Sequence, residues 1–280
     1  MKLQIRRADV WLCVGCAFAV LMTAGVFAAQ GGARSAHAMA ARVSGSVEYQ
    51  TAAKQPWHAV KIGMALSEGL RCRTGAGSSL DLALTTGAIV RLNADTEIRL
   101  DKLAFEDRRL PAAGKASTTR THLTIERGQI ISQVGKRSPS SAFEVKTPVG
   151  RVEVHGAEFM IWGVTNRIFV RSFQDTVVLR IGGQEYTIHA GEEMSAEFNS
   201  ETGAISNVQS PGPAQTGNAQ AVQHAAFKAE TALLATAVID KGVVDFGQLL
   251  ETLKTSDQPL PGVIVVGNPA TTTEISPSKP

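Results

Sequence analysis

The clearest strand pattern in the chain lies in residues 147–159, which read Thr147-Pro148-Val149-Gly150-Arg151-Val152-Glu153-Val154-His155-Gly156-Ala157-Glu158-Phe159. Its Thr-Pro pair favours a turn, because proline fixes its own φ angle and restricts the residue before it. Val152 and Val154 alternate with polar residues, which is the period of a half-buried strand. Gly156 permits a sharp bend before Phe159 returns to the core. The stretch therefore predicts a turn, a strand, a bend and a second strand.

The same pattern recurs from about residue 41 to residue 198. Short apolar alternations are separated by turns at intervals of about 8–12 residues, which is typical of all-β folds. In residues 80–84, for example, three leucines are expected to face one way, with Asp81 and Ala83 facing the other. The segments between the strands lack the helical period that would cover a parallel sheet. The charged stretch at residues 107–120 predicts an exposed loop.

Residues 1–40 predict a targeting segment. A basic start is followed by an apolar run over residues 10–29, and Ala36-His37-Ala38 and Ala38-Met39-Ala40 offer small-x-small cleavage patterns. The run of roughly 20 residues is also long enough to span a bilayer as a helix. We therefore predict export to the periplasm or cell envelope, with this segment either cleaved as a signal peptide or retained as a single membrane anchor.

The mature chain is close to neutral. The whole chain carries a formal charge of +3, but removing residues 1–38 leaves 24 of the 28 basic and 24 of the 25 acidic residues. Charge therefore gives no reason to expect a nucleic-acid partner.

Cysteine usage is also restrictive. Cys13 and Cys16 lie in the apolar run, so a chain cut after Ala38 keeps only Cys72 and forms no intrachain disulfide. The flanking Arg71 and Arg73 make Cys72 a candidate reactive thiol. A small buried residue in a strand is the favoured interpretation, since unpaired cysteine is commonly buried.

Several motifs follow one another in order: Gly69-Leu70-Arg71-Cys72-Arg73-Thr74, residues 79–92, residues 123–130, residues 143–148, residues 155–159 and Ala190-Gly191-Glu192. This order, over about residues 41–195, resembles the FecR domain, the periplasmic part of a family of bacterial iron-transport signalling regulators. The resemblance implies a twisted β-solenoid or roll of many short strands. Because only Met1 to Asp9 precede the apolar run, we expect a stand-alone member without the cytoplasmic sigma-regulating domain.

The composition changes after the β-domain, for which we predict the bounds 41–198. Residues 199–220, rich in Ser, Pro, Gln and Gly, predict a linker. Residues 221–267 predict a short helical extension, with one helix over residues 221–238. The extension either packs on the β-domain or forms a separate arm, and residues 268–280 predict a disordered tail.

Arg151, Glu153 and His155 are the candidate partner-binding residues. They occupy alternate positions, so we expect them to share one face of a strand. An unpaired strand edge would accept a strand of a partner, and these three side chains would give selectivity. The sequence contains no compact metal-ligand, nucleophile or phosphate-loop motif, so we predict no catalytic residue, metal or cofactor.

These features predict an exported, non-enzymatic envelope module that senses a signal or acts as a scaffold by binding a protein or a cell-wall polymer. Two alternatives remain. One is a membrane-linked transmembrane signalling regulator, and the other is a metal- or carbohydrate-dependent envelope enzyme.

Overall fold

The computed structural model describes residues 34–110, 114–136, 138–164, 166–215 and 218–240. Within these ranges the chain is mostly β. The strands are β1 (Arg34–Ser35), β2 (Ala38–Ser44), β3 (Val47–Gln50), β4 (His58–Ala59), β5 (Ala65–Leu66), β6 (Arg71–Thr74), β7 (Ser79–Leu84), β8 (Ala88–Leu92), β9 (Glu97–Leu110), β10 (Gly114–Arg127), β11 (Gln129–Val134), β12 (Ala142–Lys146), β13 (Arg151–Val154), β14 (Glu158–Val164), β15 (Arg167–Gln174), β16 (Val177–Ile181), β17 (Gln184–Ile188), β18 (Glu192–Phe198) and β19 (Ile205–Pro213).

The described strands form two sheets. The ten-stranded sheet has the order β17-β16-β13-β12-β10-β9-β6-β3-β4, with β1 beside β9. The nine-stranded sheet has the order β19-β18-β15-β14-β11-β8-β7-β2-β5. Their pairs are antiparallel except for the parallel pair of β10 with β12. From β6 onward the chain passes back and forth between the sheets. Later strands are therefore added to both sheets in the same direction, ending with β17 in one sheet and β19 in the other.

Alternate side chains of both sheets fill the space between them. In β7, Leu80, Leu82 and Leu84 belong to this inter-sheet core and have no exposed surface, as the alternation predicted. Ala83 belongs instead to a second cluster on the outer face of the nine-stranded sheet. Each buried leucine contributes roughly 1.5–3 kcal/mol, so this core is the main source of stability.

Residues 147–159 fold as predicted from the sequence. Thr147 and Gly150 close the turn between β12 and β13, with the Thr147 N–H donating to the Gly150 carbonyl at 2.8 Å. At Gly150 an added Cβ would lie 2.1 Å from the carbonyl oxygen of Arg180 on β16, so only glycine fits. Gly156 makes the bend with φ +135°, and Phe159 on β14 is fully buried.

The C-terminal part of the described chain covers the outer face of the nine-stranded sheet. Helix α1 (Asn218–Ala235) continues into a π-helical turn (Thr236–Asp240). Phe227, Leu234 and Val238 pack on a group of side chains from five strands, namely Met39, Ala83, Ile89, Ile131 and Met160. An apolar sheet face is stable in water only when another layer covers it, and α1 is that layer.

The prediction of an all-β fold with a small C-terminal helix is confirmed. The solenoid description stays a prediction, and residues 1–33 and 241–280 lie outside the described residues, together with the predicted signal or anchor helix and the tail. No helix in the described ranges has the length and hydropathy of a membrane span.

Two local predictions differ from the structure. The prediction of a loop over residues 107–120 is wrong, because β9 and β10 remain paired out to Leu110 and Gly114. Within the stretch predicted as a linker, residues 205–213 form β19, which pairs with β18. The polar side chains of β19 face solvent, so its composition resembles that of a linker.

Candidate functional site

The outer face of the ten-stranded sheet carries charged side chains in cross-strand pairs. The cross-strand ion pairs on this face are Arg73–Glu48, Arg71–Glu97, Arg151–Glu144, Arg180–Glu153 and Arg180–Glu185, and Arg99 pairs with Asp101 along β9. Opposite charges placed directly across or diagonally on a sheet stabilise it by a few tenths of a kcal/mol up to about 1 kcal/mol each. This charged outer face is therefore an ordered polar surface.

Two of the three predicted residues lie on this face. Arg151 and Glu153 occupy alternate positions of β13. The Arg151 Nε donates to Glu144 Oε1 at 2.9 Å, and the Arg180 Nη2 lies 3.3 Å from Glu153 Oε2. Sequence alternation anticipated their common face. It could not identify Glu144 and Arg180 as partners, because the strand register was unknown.

His155 lies apart from this pair. Strand β13 ends at Val154, and His155 follows in the bend that Gly156 makes. The imidazole is exposed and borders a small recess lined also by Thr121, Ser141 and Phe143. The alternation rule fails there because it holds only while the backbone stays extended.

An open groove lies beside Arg151 and Glu153. The turn between β12 and β13 forms one side, and Arg180 on β16 closes the other. Its volume is about 440 Å³. Lys146 also lines the groove, so three cations and one carboxylate border it. Two of these cations, Arg151 and Arg180, are held in the ion pairs described above, so the groove is a polar surface whose charges are largely compensated.

Strand β17 forms the edge of the same sheet, two strands away from β13. Glu185 and Thr187 are exposed, whereas Ile188 is buried. The paired Arg180 and Glu185 connect the edge to the groove, since their side chains approach to 3.1 Å. Alternation of apolar and polar residues does not distinguish this edge strand from an interior one, because both kinds of strand alternate.

Within the described ranges, no three His, Cys, Asp or Glu residues are placed to hold a metal ion. Cys72 is fully buried, and burial raises the pKa of its thiol to about 12. The thiol therefore stays protonated at neutral pH, which favours the packing role over the reactive one. The charged outer face and the edge can bind a partner through ion pairs and backbone hydrogen bonds.

A comparison with known protein families finds a match over part of the chain. The model of the FecR protein family matches residues 71–181. No curated protein matches the chain. Two crystal structures of a candidate anti-sigma factor from Parabacteroides distasonis are similar at 17% and 18% identity, each with a TM-score of 0.36 over 50% of this chain. The match spans 60% of those solved chains.

The family match coincides with structural boundaries. It begins at the first residue of β6 and ends at the last residue of β16, so it contains the β12–β13 turn, the bend and both charged residues of β13. The resemblance seen in the sequence is thereby confirmed over residues 71–181, which match the FecR family model.

Proposed function

We propose that this protein is an exported, non-enzymatic binding module of the cell envelope that recognises a protein partner by strand addition to β17. The observation that carries the proposal is the position of β17, an exposed edge strand beside the charged outer face and its groove. Strand addition supplies main-chain hydrogen bonds for affinity, while side chains near the edge supply selectivity.

The hairpin geometry identifies the groups that a partner strand would meet. Strands β16 and β17 are joined by the two-residue loop Gly182-Gly183, with Ile181 opposite Gln184. The residues that flank a two-residue loop form a hydrogen-bonded pair, and the pairs alternate from there. Glu185 and Thr187 therefore direct their backbone N–H and C=O groups away from β16, towards the edge.

The charged residues beside the edge would select the partner. Glu185 lies on the edge strand itself, Arg180 one strand further in, and Glu153 and Arg151 on the next strand. A partner strand beside β17 would meet Glu185 first, so a basic side chain on this face would pair with that carboxylate. In this proposal Arg151 and Glu153 lie on the charged outer face that selects the partner, and His155 lies at the margin of that face.

The FecR match favours a signalling role for this binding. The family resemblance implies that the domain senses a partner outside the cytoplasm, in the periplasm or at the envelope. It also implies the roll or solenoid description, which the joint advance of the two sheets supports. We propose that binding at β17 is the sensing event and that the signal passes to a second membrane protein.

A photo-cross-linking amino acid at Thr187 tests the proposal in intact cells. We expect a cross-linked protein partner from this position and none from Glu201, which lies in an exposed turn. Thr187→Pro removes the outward N–H while leaving the β16–β17 ladder intact, because proline is tolerated on the open side of an edge strand. It should reduce pull-down of the captured partner about tenfold, the effect of losing one hydrogen bond of about 1.4 kcal/mol.

Thr187→Ala serves as the matched control, since it keeps the backbone N–H and changes only the side chain. Equal partner recovery with proline and with alanine would contradict strand addition. A cross-linked product that shrinks on muramidase digestion would identify a cell-wall polymer and contradict a protein partner.

A further inference from the structure

The outer face of the nine-stranded sheet is only partly covered. Helix α1 packs over the strands from β2 to β14, and its first turn lies near Trp162. Beyond that point, two adjoining open cavities of about 600 and 510 Å³ lie over β14, β15, β18 and β19. Arg167 and Phe169 line both cavities, so the two form one continuous trough. This trough is on the sheet opposite the proposed partner edge.

The floor of the trough is aromatic. Trp162 and Phe169 are direct cross-strand neighbours, and their rings are stacked with centroids 5.0 Å apart and an interplanar angle of 5°. Trp162 is nearly buried and fixes the position of Phe169, which is half-buried and borders both cavities. Ser195 lies opposite Phe169 on β18, and this small side chain leaves space beside the ring. Val164, 57% exposed, extends the apolar floor at one end.

The rim is polar, with its charges paired. Arg167 binds Glu197, which also accepts a hydrogen bond from Asn207 Nδ2. Those two contacts lower the pKa of Glu197, the Asn207 hydrogen bond contributing most, so the carboxylate stays ionised. Ser195 Oγ donates to Gln209 Oε1 at 3.0 Å. The rim therefore presents hydrogen-bonding groups in fixed places without an excess of positive charge.

We infer that this trough binds an uncharged oligosaccharide. An aromatic floor receives the apolar face of a sugar ring, and paired carboxylate, guanidinium and amide groups on the rim are suited to its hydroxyl groups.

The direction of the trough favours a sugar over a peptide. It crosses four neighbouring strands, which spans about 14 Å at 4.8 Å between strands. A peptide bound by a sheet normally runs along an edge, where main-chain groups are available. Over β14, β15 and β18 only side chains are available, and sugar hydroxyl groups bind to side chains; the edge strand β19 borders the trough at one end only. Polyanions are disfavoured because the carboxylates of Glu193 and Glu197 border the trough together with Arg167.

This inference goes beyond the proposed function and concerns a separate surface. Titration calorimetry with chitotetraose, cellotetraose and maltotetraose tests it on the purified protein. We expect saturable binding of at least one of the three sugars, weakened about tenfold by Phe169→Leu, which keeps an apolar side chain but removes the ring face. Polygalacturonate, a charged polysaccharide, should bind more weakly than the neutral sugar.

Phe173→Leu is the matched control. Phe173 lies on the same strand and the same face, but it stacks on His224 of α1, outside the trough. Failure of all three sugars to bind at up to about 10 mM would overturn the inference. Equal losses in the two leucine variants, or binding of polygalacturonate alone, would also overturn it. Thr187→Pro should leave sugar binding unchanged, so the two proposals can fail separately.

Discussion

At the scale of single residues, the least expected feature is a set of charged side chains beneath α1. Asp81 and Arg91 lie on neighbouring strands, are almost fully buried, and form two hydrogen bonds of 2.6 and 2.7 Å. Glu230 of α1 joins them at 2.7 Å from Arg91. Removing one member of a buried pair typically costs about 3–5 kcal/mol, because the other charge is left without compensation. These residues therefore specify where the helix docks.

A second such group surrounds Glu158. Its carboxylate is buried on β14 and accepts from His224 Nε2 at 2.9 Å and from Lys228 Nζ at 3.2 Å, both on α1. The hydrogen bond from His224 is the main cause that lowers the pKa of Glu158, and it outweighs the burial that acts the other way. A carboxyl with a lowered pKa in the folded state stabilises the fold above its unfolded pKa of about 4.3. That contribution is lost as the pH falls through the folded value.

Glu158→Gln should therefore reduce both stability and its dependence on pH. We expect the free energy of unfolding at pH 7 to fall by about 1–3 kcal/mol, because a hydrogen-bonded charge is replaced by a neutral amide. The difference from the natural protein should shrink as the pH falls below the unfolded pKa of about 4.3 and through the lowered folded pKa. Urea unfolding across this pH range measures it, with the exposed Glu201→Gln as control. Curves that stay parallel down to low pH would contradict the role given to Glu158.

At the scale of elements, α1 depends on the sheet for its stability. Most of the stability of a helix in a protein comes from tertiary packing, so the order of this helix of 18 residues depends on its docking. Phe227 is the central contact, because its ring is fully buried and lies 5.4 Å from the Arg91 guanidinium. The helix thus combines an apolar centre with ionic groups around it.

Phe227→Ala should release α1 from the nine-stranded sheet without unfolding the two sheets. Truncating a buried phenylalanine costs about 3–5 kcal/mol, and here most of that loss falls on helix docking. Amide hydrogen exchange of α1 should accelerate by at least about a hundredfold, while that of the strands should change little. Leu233→Ala provides the comparison, because Leu233 is 49% exposed on the other face of the same helix. Similar exchange rates for the two variants would show that Phe227 does not anchor the helix.

The sequence predicted the helix but not what it covers. Alternation in β7 correctly separated the leucines from Asp81 and Ala83, and a polar residue at such a position normally indicates a face in water. Asp81 is buried instead, because Arg91 comes from the next strand and Glu230 from a helix almost 150 residues away. Pairing at that distance in the chain leaves no local pattern. Arg151 and Glu153 lie on one strand, so a local pattern was enough to predict their common face. Arg180 and the trough depend on pairing between distant strands, so the sequence did not predict them.

For the molecule as a whole, the order of strands in the sheets shows that the first described residues belong to the inter-sheet core. Strand β2 lies next to β7 and β5 in the nine-stranded sheet, and Ala38 and Ala40 are fully buried in the inter-sheet core. Ala36 is also buried, with its N–H donating to the Leu103 carbonyl at 3.2 Å. Residues 36–40, where the sequence predicts cleavage, are therefore part of the folded domain. Short side chains suit both roles, which is why the sequence could not separate them.

If the mature protein keeps this fold, processing has to occur before Ala36. The sequence offers an earlier small-residue site at Val26-Phe27-Ala28, at the end of the apolar run. We expect the intact mass of the protein from the envelope fraction to show a first residue upstream of 36. A purified chain that begins at residue 29 should be more stable than one that begins at residue 39, which lacks the buried Ala36 and Ala38. Each 1 kcal/mol lost would lower the Tm by about 2–4 °C for a domain of this size. An envelope form that begins at Met39 and melts at the same temperature as the longer chain would contradict the place of β2 in the core.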